Sequence, residues 1–407
     1  MTQIDIKYSS ALSSGLKALL HCVVGFALAV CTASSWAVTL YVSPTGSDQN
    51  PGSADLPLRS INAALSKLVA GDRVIVSHGV YEESLRTRTS GTVAAPIVLM
   101  GEEAGLVVVR AANDSALKIS HPYYVVQNFV FDGGFSKNDV IRVTANGDGL
   151  IFRDNLVQDG AKDGIDLGSA AETVGEGFDY LENVVIDGST FKNFLATDFL
   201  GNRIDAHGIV AGGVHGLTIK NTSVEMVSGD ALQLANGNWD QVTVESVIFK
   251  NSPITEELAS KTDFPKGINP GENAIDTKQD LALPVRSRLT VSRSEFRGWK
   301  GDLISNAAAL NLKEKVSVTV DRCLFKDNEI ALRLRGNGQS LNGASITVSN
   351  SIFYANEKAL RLEDHLLGFT LAHNSFGAGN SIFVELAGGG VGAGFNAANN
   401  VFLANTL

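Results

Sequence analysis

Along most of this chain, short apolar runs alternate with polar residues at every second position, the period of a β-strand with one face buried. From residue 149 onward a fixed order recurs: a β-rich run, an Asn/Ser turn, an aromatic residue or Val, a polar turn, and a second β-rich run. It reads Gly149-Leu-Ile-Phe-Arg-Asp-Asn-Leu-Val157 and then Asp163-Gly-Ile-Asp-Leu167. It returns at 216–224 with Asp230-Ala-Leu-Gln-Leu234, at 316–325 with Ala331-Leu-Arg-Leu334, and at 344–353 with Ala359-Leu-Arg-Leu362.

The anchor of each repeat falls at Phe131, Val157, Phe191, Val224, Phe249, Phe296, Phe325, Phe353, Phe376 and Phe402. Most gaps are 23 to 34 residues and one is 47. Strands this short, with two or three turns per repeat, predict an all-β solenoid: a right-handed parallel β-helix in which each coil buries its apolar face on the next. Helical repeats would need apolar spacings of three and four, and a leucine-rich frame is absent. Ser60 to Val69 carries Ile61, Leu65 and Leu68 at helical spacing behind the N-cap candidate Ser60, which predicts a short N-terminal capping helix. No cap pattern is read at the C-terminal end. The recurring Asn155, Asn221, Asn350, Asn374 and Asn400 predict an internal polar ladder beside the anchors.

The first 37 residues read as export signal instead of fold. Lys7 and Lys17 precede an apolar run from Ala18 to Val30, and Ser35-Trp36-Ala37 offers small residues for cleavage after Ala37. Leu28-Ala29-Val30-Cys31 is a poorer lipid-attachment pattern, because bulky Val30 stands where a small residue belongs. Residues 38–407 then form one domain, with 38–110 as lead-in and cap and 111–407 as coils. Cleavage moves the net charge from −10 to −11 and removes Cys22 and Cys31, leaving Cys323 without a disulfide partner. The expected location is secreted or periplasmic, with no membrane span. The acidic balance argues against nucleic acid as a partner. It also requires any polyanionic substrate to find a local cationic patch or a bound metal.

Tyr41-Val-Ser-Pro-Thr-Gly-Ser-Asp-Gln-Asn-Pro-Gly-Ser53, Pro57-Leu-Arg-Ser-Ile-Asn-Ala-Ala-Leu65, Gly71-Asp-Arg-Val-Ile-Val76 and Gly79-Val-Tyr81 together resemble the opening of secreted pectate-lyase-like β-helix proteins, polysaccharide lyase family nine among them. The resemblance implies the fold and a carbohydrate context. It does not extend to a matched catalytic motif, and a fold by itself does not determine chemistry.

Aligning the second strand of each repeat places Ile165, Ile209, Leu232, Ile275, Leu303, Leu332 and Leu360 inward. The next residues then point outward: Asp166, Val210, Gln233, Asp276, Ile304, Arg333 and Arg361. Two further on come Gly168, Gly212, Ala235, Lys278, Asn306, Arg335 and Glu363. Insertions at Ser169 to Gly177, Asn193 to Ala206 and Asn251 to Gly271 flank this column, as the walls of a binding groove would.

Gly271-Glu-Asn-Ala-Ile-Asp-Thr-Lys-Gln279 is the sharpest candidate. A uronate lyase removes the proton beside a carboxylate and expels the 4-linked oxygen, which needs a cation on the carboxylate and a base. Lys278 is the expected base and Arg333 the expected catalytic cation. Asp230, Glu272 and Asp276 are the expected Ca²⁺ ligands, and His207, Gln233, Arg335 and Arg361 the expected substrate contacts. His207 competes with a plain turn histidine bonded to backbone, and the charged column with an ordinary solvated face. The expected function is a calcium-assisted lyase on a uronate-containing polysaccharide. The alternatives are a non-catalytic exopolysaccharide-binding or surface protein, a glycosidase, or a uronate epimerase.

Overall fold

The structure, a computed structural model, describes residues 37–168, 180–279, 286–336, 343–388 and 394–403, with the side chains of 236–238 left aside. All of the expected signal (residues 1–37) except Ala37, and the insertion Ser169 to Gly177, lie outside the described residues. Three long sheets, all parallel, hold thirteen, twelve and twelve of the described strands. From Arg73–Val76 onward the chain visits them in rotation, interrupted only by the extra third-sheet strand Leu181–Glu182 and a side hairpin, so the fold is a right-handed parallel β-helix.

Coils start earlier than 111. Thr39–Val42 pairs in register with Arg73–Val76, and Gly79–Glu82 and Leu85–Arg86 already begin the second and third sheets. The capping helix is shorter than its apolar spacing predicts, running Ile61–Leu65 with the Ser60 hydroxyl accepting from Ala63 N–H. Leu68 is buried without belonging to it.

All ten anchors stand in one column of the second sheet, each paired with its counterpart one coil away. From Phe249 to Phe402 six rings stack face to face at 4.6–5.0 Å, with planes within 8°. Parallel register forces identical residues to meet, and offset aromatic pairs stabilise by about 0.5–1.5 kcal/mol beyond the area they bury.

The polar ladder exists, with different rungs. Asn155 accepts from Phe129 N–H, Ser189 from Asn155 N–H, Ser351 from Cys323 N–H, Asn374 from Ser351 N–H and Asn400 from Asn374 N–H. Asn221 and Asn350 are not rungs. They take the preceding left-handed position, with φ of 50° and 52°, which asparagine tolerates. A second ladder, Asn328–Asn356–Asn380, runs up the turn between the second and third sheets. Cys323 belongs to the first ladder, and burial pushes its thiol up to about 12, which makes it inert.

Candidate functional site

The third sheet carries the predicted column. Its outward positions run Lys118, Arg142, Asp166, Val210, Gln233, Asp276, Asn311, Arg333, Arg361 and Glu385, each paired with the next. One coil differs from the sequence alignment. Leu310, Asn311 and Lys313 occupy it in place of Leu303, Ile304 and Asn306. Residues 298–307 instead form a turn drawn toward the neighbouring insertion, where Asn269 N–H donates to Asp302 at 2.7 Å, and Leu303 is 46% exposed. A signal was present: Ala309-Leu-Asn-Leu312 repeats the frame of Ala331-Leu-Arg-Leu334 and Ala359-Leu-Arg-Leu362.

That substitution rebuilds the site around Asp276. Although outward on its strand, Asp276 is only 2% exposed. Lys313 Nζ sits 3.0 Å from its Oδ1 and 3.1 Å from its Oδ2, Asn311 Nδ2 donates at 2.9 Å, and Lys278 Nζ lies at 3.7 Å. Lys278 stays accessible, its side chain 43% exposed, with its peptide held by Leu234 O and by the Trp239 indole N–H. Asn311 Oδ1 is a buried acceptor without a partner among the described residues, which is costly in a packed site.

The next coils continue as a lattice of ion pairs. Glu363 meets Arg333 at 2.9 Å, Arg335 at 3.1 Å and Arg361 at 2.6 Å, and Glu385 meets Arg361 and Lys358. Burial opposes the charge on Glu363, but the hydrogen bonds from Arg333 and Arg361 outweigh it and hold the carboxyl below its ordinary value. Six cations (Lys278, Lys313, Arg333, Arg335, Lys358 and Arg361) thus face three carboxylates (Asp276, Glu363 and Glu385). An acidic protein has gathered positive charge on one strip.

Of the remaining predicted residues, His207 and Asp230 belong to a buried ladder where each coil enters the third sheet. His207 N–H donates to Asp163, Asp230 N–H to His207 Nδ1, Asn273 N–H and Nδ2 to Asp230, and Ala308 N–H to Asn273 Oδ1. His207 is therefore a backbone-bonded rung, with the imidazole so close that a Cβ on Gly229 would lie 2.6 Å from its Nδ1. Burial pushes Asp163 up to about 6. Burial, with the charges of Asp276 and Glu272 added, pushes Asp230 well above the carboxylate range. Gln233 turns toward this ladder and donates to Asp230 at 3.1 Å.

The expected calcium set does not fit. Asp276 is engaged by two ammonium groups and an amide, Asp230 by Asn273 and Gln233, and Glu272 by Arg203 at 3.4 Å. Among the described residues no three His, Cys, Asp or Glu side chains converge as metal ligands.

Two insertions stand where the chain enters the third sheet. Within Asn193 to Ala206, Ala196–Thr197 and Arg203–Ile204 pair as an antiparallel hairpin. Asn251 to Gly271 contains the helix Glu256–Ala259. Leu195 and Met226 pack with Ile254, Leu258 and Phe264 in a small core of their own. Arg203 anchors the hairpin to the site strand, donating to Pro270 O at 2.8 Å and pairing with Asp205 and Glu272. The sequence reading missed Arg203, Asn311 and Lys313.

Residues 58–160 match the family described as Chondroitinase B. A 70-residue stretch is 43% identical to the uncharacterised protein YwoF of Bacillus subtilis (strain 168), covering 17% of this chain and 15% of that protein. A 75-residue stretch is 37% identical to pectate lyase PEL9 of Emericella nidulans, covering 18% of each. The chain thus matches less than a fifth of these relatives' length. Among solved structures, a rhamnogalacturonan lyase superposes with a TM-score of 0.57 at 14% identity, over 78% of this chain and 82% of that one. Pectate lyase Pel9A gives 0.56 at 16% identity, over 79% and 77%. These likenesses place the fold with the pectate-lyase-like parallel β-helices. The family match ends at residue 160, before Asp276, Lys278 and Lys313, and among the described residues no helix is long and apolar enough to cross a membrane.

Proposed function

We propose that this chain is an exported lyase that cleaves a uronate-containing polysaccharide by β-elimination, with its own cations in place of calcium. The observation that carries the reading is the strip of six cations around three carboxylates on one sheet of a protein whose net charge is −10. The similar proteins, two pectate lyases and a rhamnogalacturonan lyase, support the same substrate class.

In the proposed step Arg333, with Arg335 and Arg361 beside it, holds the uronate carboxylate. This spreads the negative charge that develops when the C5 proton leaves. Lys278, an ammonium at rest beside Asp276, first gives up a proton to solvent and then takes the C5 proton on its Nζ. The electron pair of the C5–H bond becomes the C4=C5 double bond, the C4–O bond breaks, and the departing oxygen is protonated from solvent. Lys313, pinned to Asp276, keeps a fixed positive charge near the reacting carboxylate, while Asp276 positions both lysines.

The test is incubation of purified protein with polygalacturonate, alginate and glycosaminoglycans, following the absorbance of the unsaturated product with EDTA or with Ca²⁺. The expected result is absorbance that rises on one of these substrates and is indifferent to EDTA. Activity abolished by EDTA overturns the cation-only mechanism, and silence across the panel overturns the lyase.

A further inference from the structure

The hairpin carries a feature that the charged floor does not use. Its tip is closed by Asp198, which accepts from Leu200 N–H, Asn202 N–H and Asn202 Nδ2. On that polar turn stands Phe199, 91% exposed, with Leu200 and Ile204 exposed beside it. Tight turns favour Gly, Asn, Asp and Ser for backbone reasons, and nothing in the turn's own geometry asks for a phenyl ring.

Clefts open on both sides of the hairpin. One of about 490 Å³ is lined by Phe135, Lys137, Thr197, Phe199, Lys261 and Phe264 among others, and a second of about 410 Å³ by Arg203, Phe264, Ile268 and Leu303 among others. Both volumes lie in the range of roughly 300–1,000 Å³ typical of small-ligand sites. Charge in the first cleft is unevenly committed. Asp198 is held by its own turn, Asp263 accepts from Thr197 Oγ1 at 2.9 Å, and Lys261 is paired with Glu257 at 2.6 Å. Lys137, exposed on the neighbouring turn, has no acidic partner among the described residues. Hydrogen bonds from neutral donors do not cancel the charges of Asp198 and Asp263, so the cleft is mixed in charge, with Lys137 its unpaired cation among the described residues.

Resting on the function proposed above, we infer that the hairpin is a second sugar-binding subsite, occupied by a further stretch of the same acidic polysaccharide. Phe199 presents its ring to the C–H face of a sugar unit, and Lys137 meets a uronate carboxylate. The hairpin is tied to the edge of the floor: Arg203, on its returning strand, bonds Pro270 O and Glu272, and Glu272 leads into the strand that bears Asp276. A chain lying along the strip and rising over this hairpin is held at both places.

The experiment compares wild type, Phe199→Ala, Phe199→Tyr and Lys137→Met. Calorimetric titration uses trisaccharides and octasaccharides of galacturonate, mannuronate and chondroitin, with product formation and sedimentation measured in parallel. Phe199→Ala is expected to weaken the octasaccharide about tenfold, leaving the trisaccharide and the melting temperature unchanged, and Phe199→Tyr to restore binding. Lys137→Met is expected to flatten the salt dependence of octasaccharide affinity. Equal octasaccharide affinity in wild type and Phe199→Ala overturns the subsite, even where product formation upholds the lyase. Binding that depends on Phe199 without any product upholds the subsite and overturns the lyase. Self-association lost in Phe199→Ala, or no binding of any probe by wild type, overturns the subsite.

Discussion

Lys313 Nζ lies 3.0 Å from Asp276 Oδ1, although 37 residues of chain separate them. One coil of the solenoid closes that gap, and the pair sits in the floor of the strip with Asp276 almost wholly shielded from water. Removing one partner of a buried ion pair leaves an uncompensated charge. Asp276→Asn is therefore expected to cost about 3 kcal/mol in urea unfolding, with part of the loss recovered in the double variant Asp276→Asn/Lys313→Met. A single variant within about 0.5 kcal/mol of wild type would show that the pair is merely a surface contact.

Lys278 differs from Lys313 in being accessible and more loosely held. Lys278→Ala is expected to lower product formation at least about 100-fold while polysaccharide binding persists. Lys278→Arg stays inactive too, because a guanidinium does not release its proton near neutral pH. Turnover by Lys278→Ala at the wild-type rate would remove the lysine from the base role.

The buried ladder gives stability a distinctive pH dependence. Asp163 is pushed up to about 6 by burial, whereas in the unfolded chain it ionises near ~3.9. Between those values the folded state keeps a proton that the unfolded state has lost. Stability from this group is therefore fully present below the unfolded value, falls as pH rises through about 4 to 6, and stays low above. Asp163→Asn preserves an oxygen for His207 N–H and has no charge to bury. It is expected to flatten that part of the profile and to gain roughly 1–3 kcal/mol over wild type at pH 8. Parallel profiles from urea unfolding at pH 4, 6 and 8 would contradict this.

The ring stack separates interior from end coils. Phe325 is buried between Phe296 and Phe353, whereas Phe402, in the last described coil, is 47% exposed. Phe325→Ala should cost about 3–5 kcal/mol, and Phe402→Ala roughly a third of that because it leaves no closed cavity. Equal effects from denaturant titration would mean that the terminal coil is as well covered as the middle.

Most of the architecture is legible in the sequence. Side-chain alternation with a period of two is a local property, and a parallel solenoid turns each repeat into a coil, so Phe131 to Phe402 could be named as one inward column. The same arithmetic placed Gln233, Asp276, Arg333 and Arg361 on one outer face. It failed where loop length varies. The long turn before Ala308 let Leu303 pose as an anchor, and Asn311 and Lys313 were lost from view. Only the tertiary structure decided that Asp276 is covered, that Asp230 and His207 bond backbone, and that Arg203 reaches Glu272 from 69 residues away. Alternation tells which way a side chain leaves its strand. Whether water or a neighbouring coil's ammonium waits there depends on register and loop packing, which local sequence does not encode.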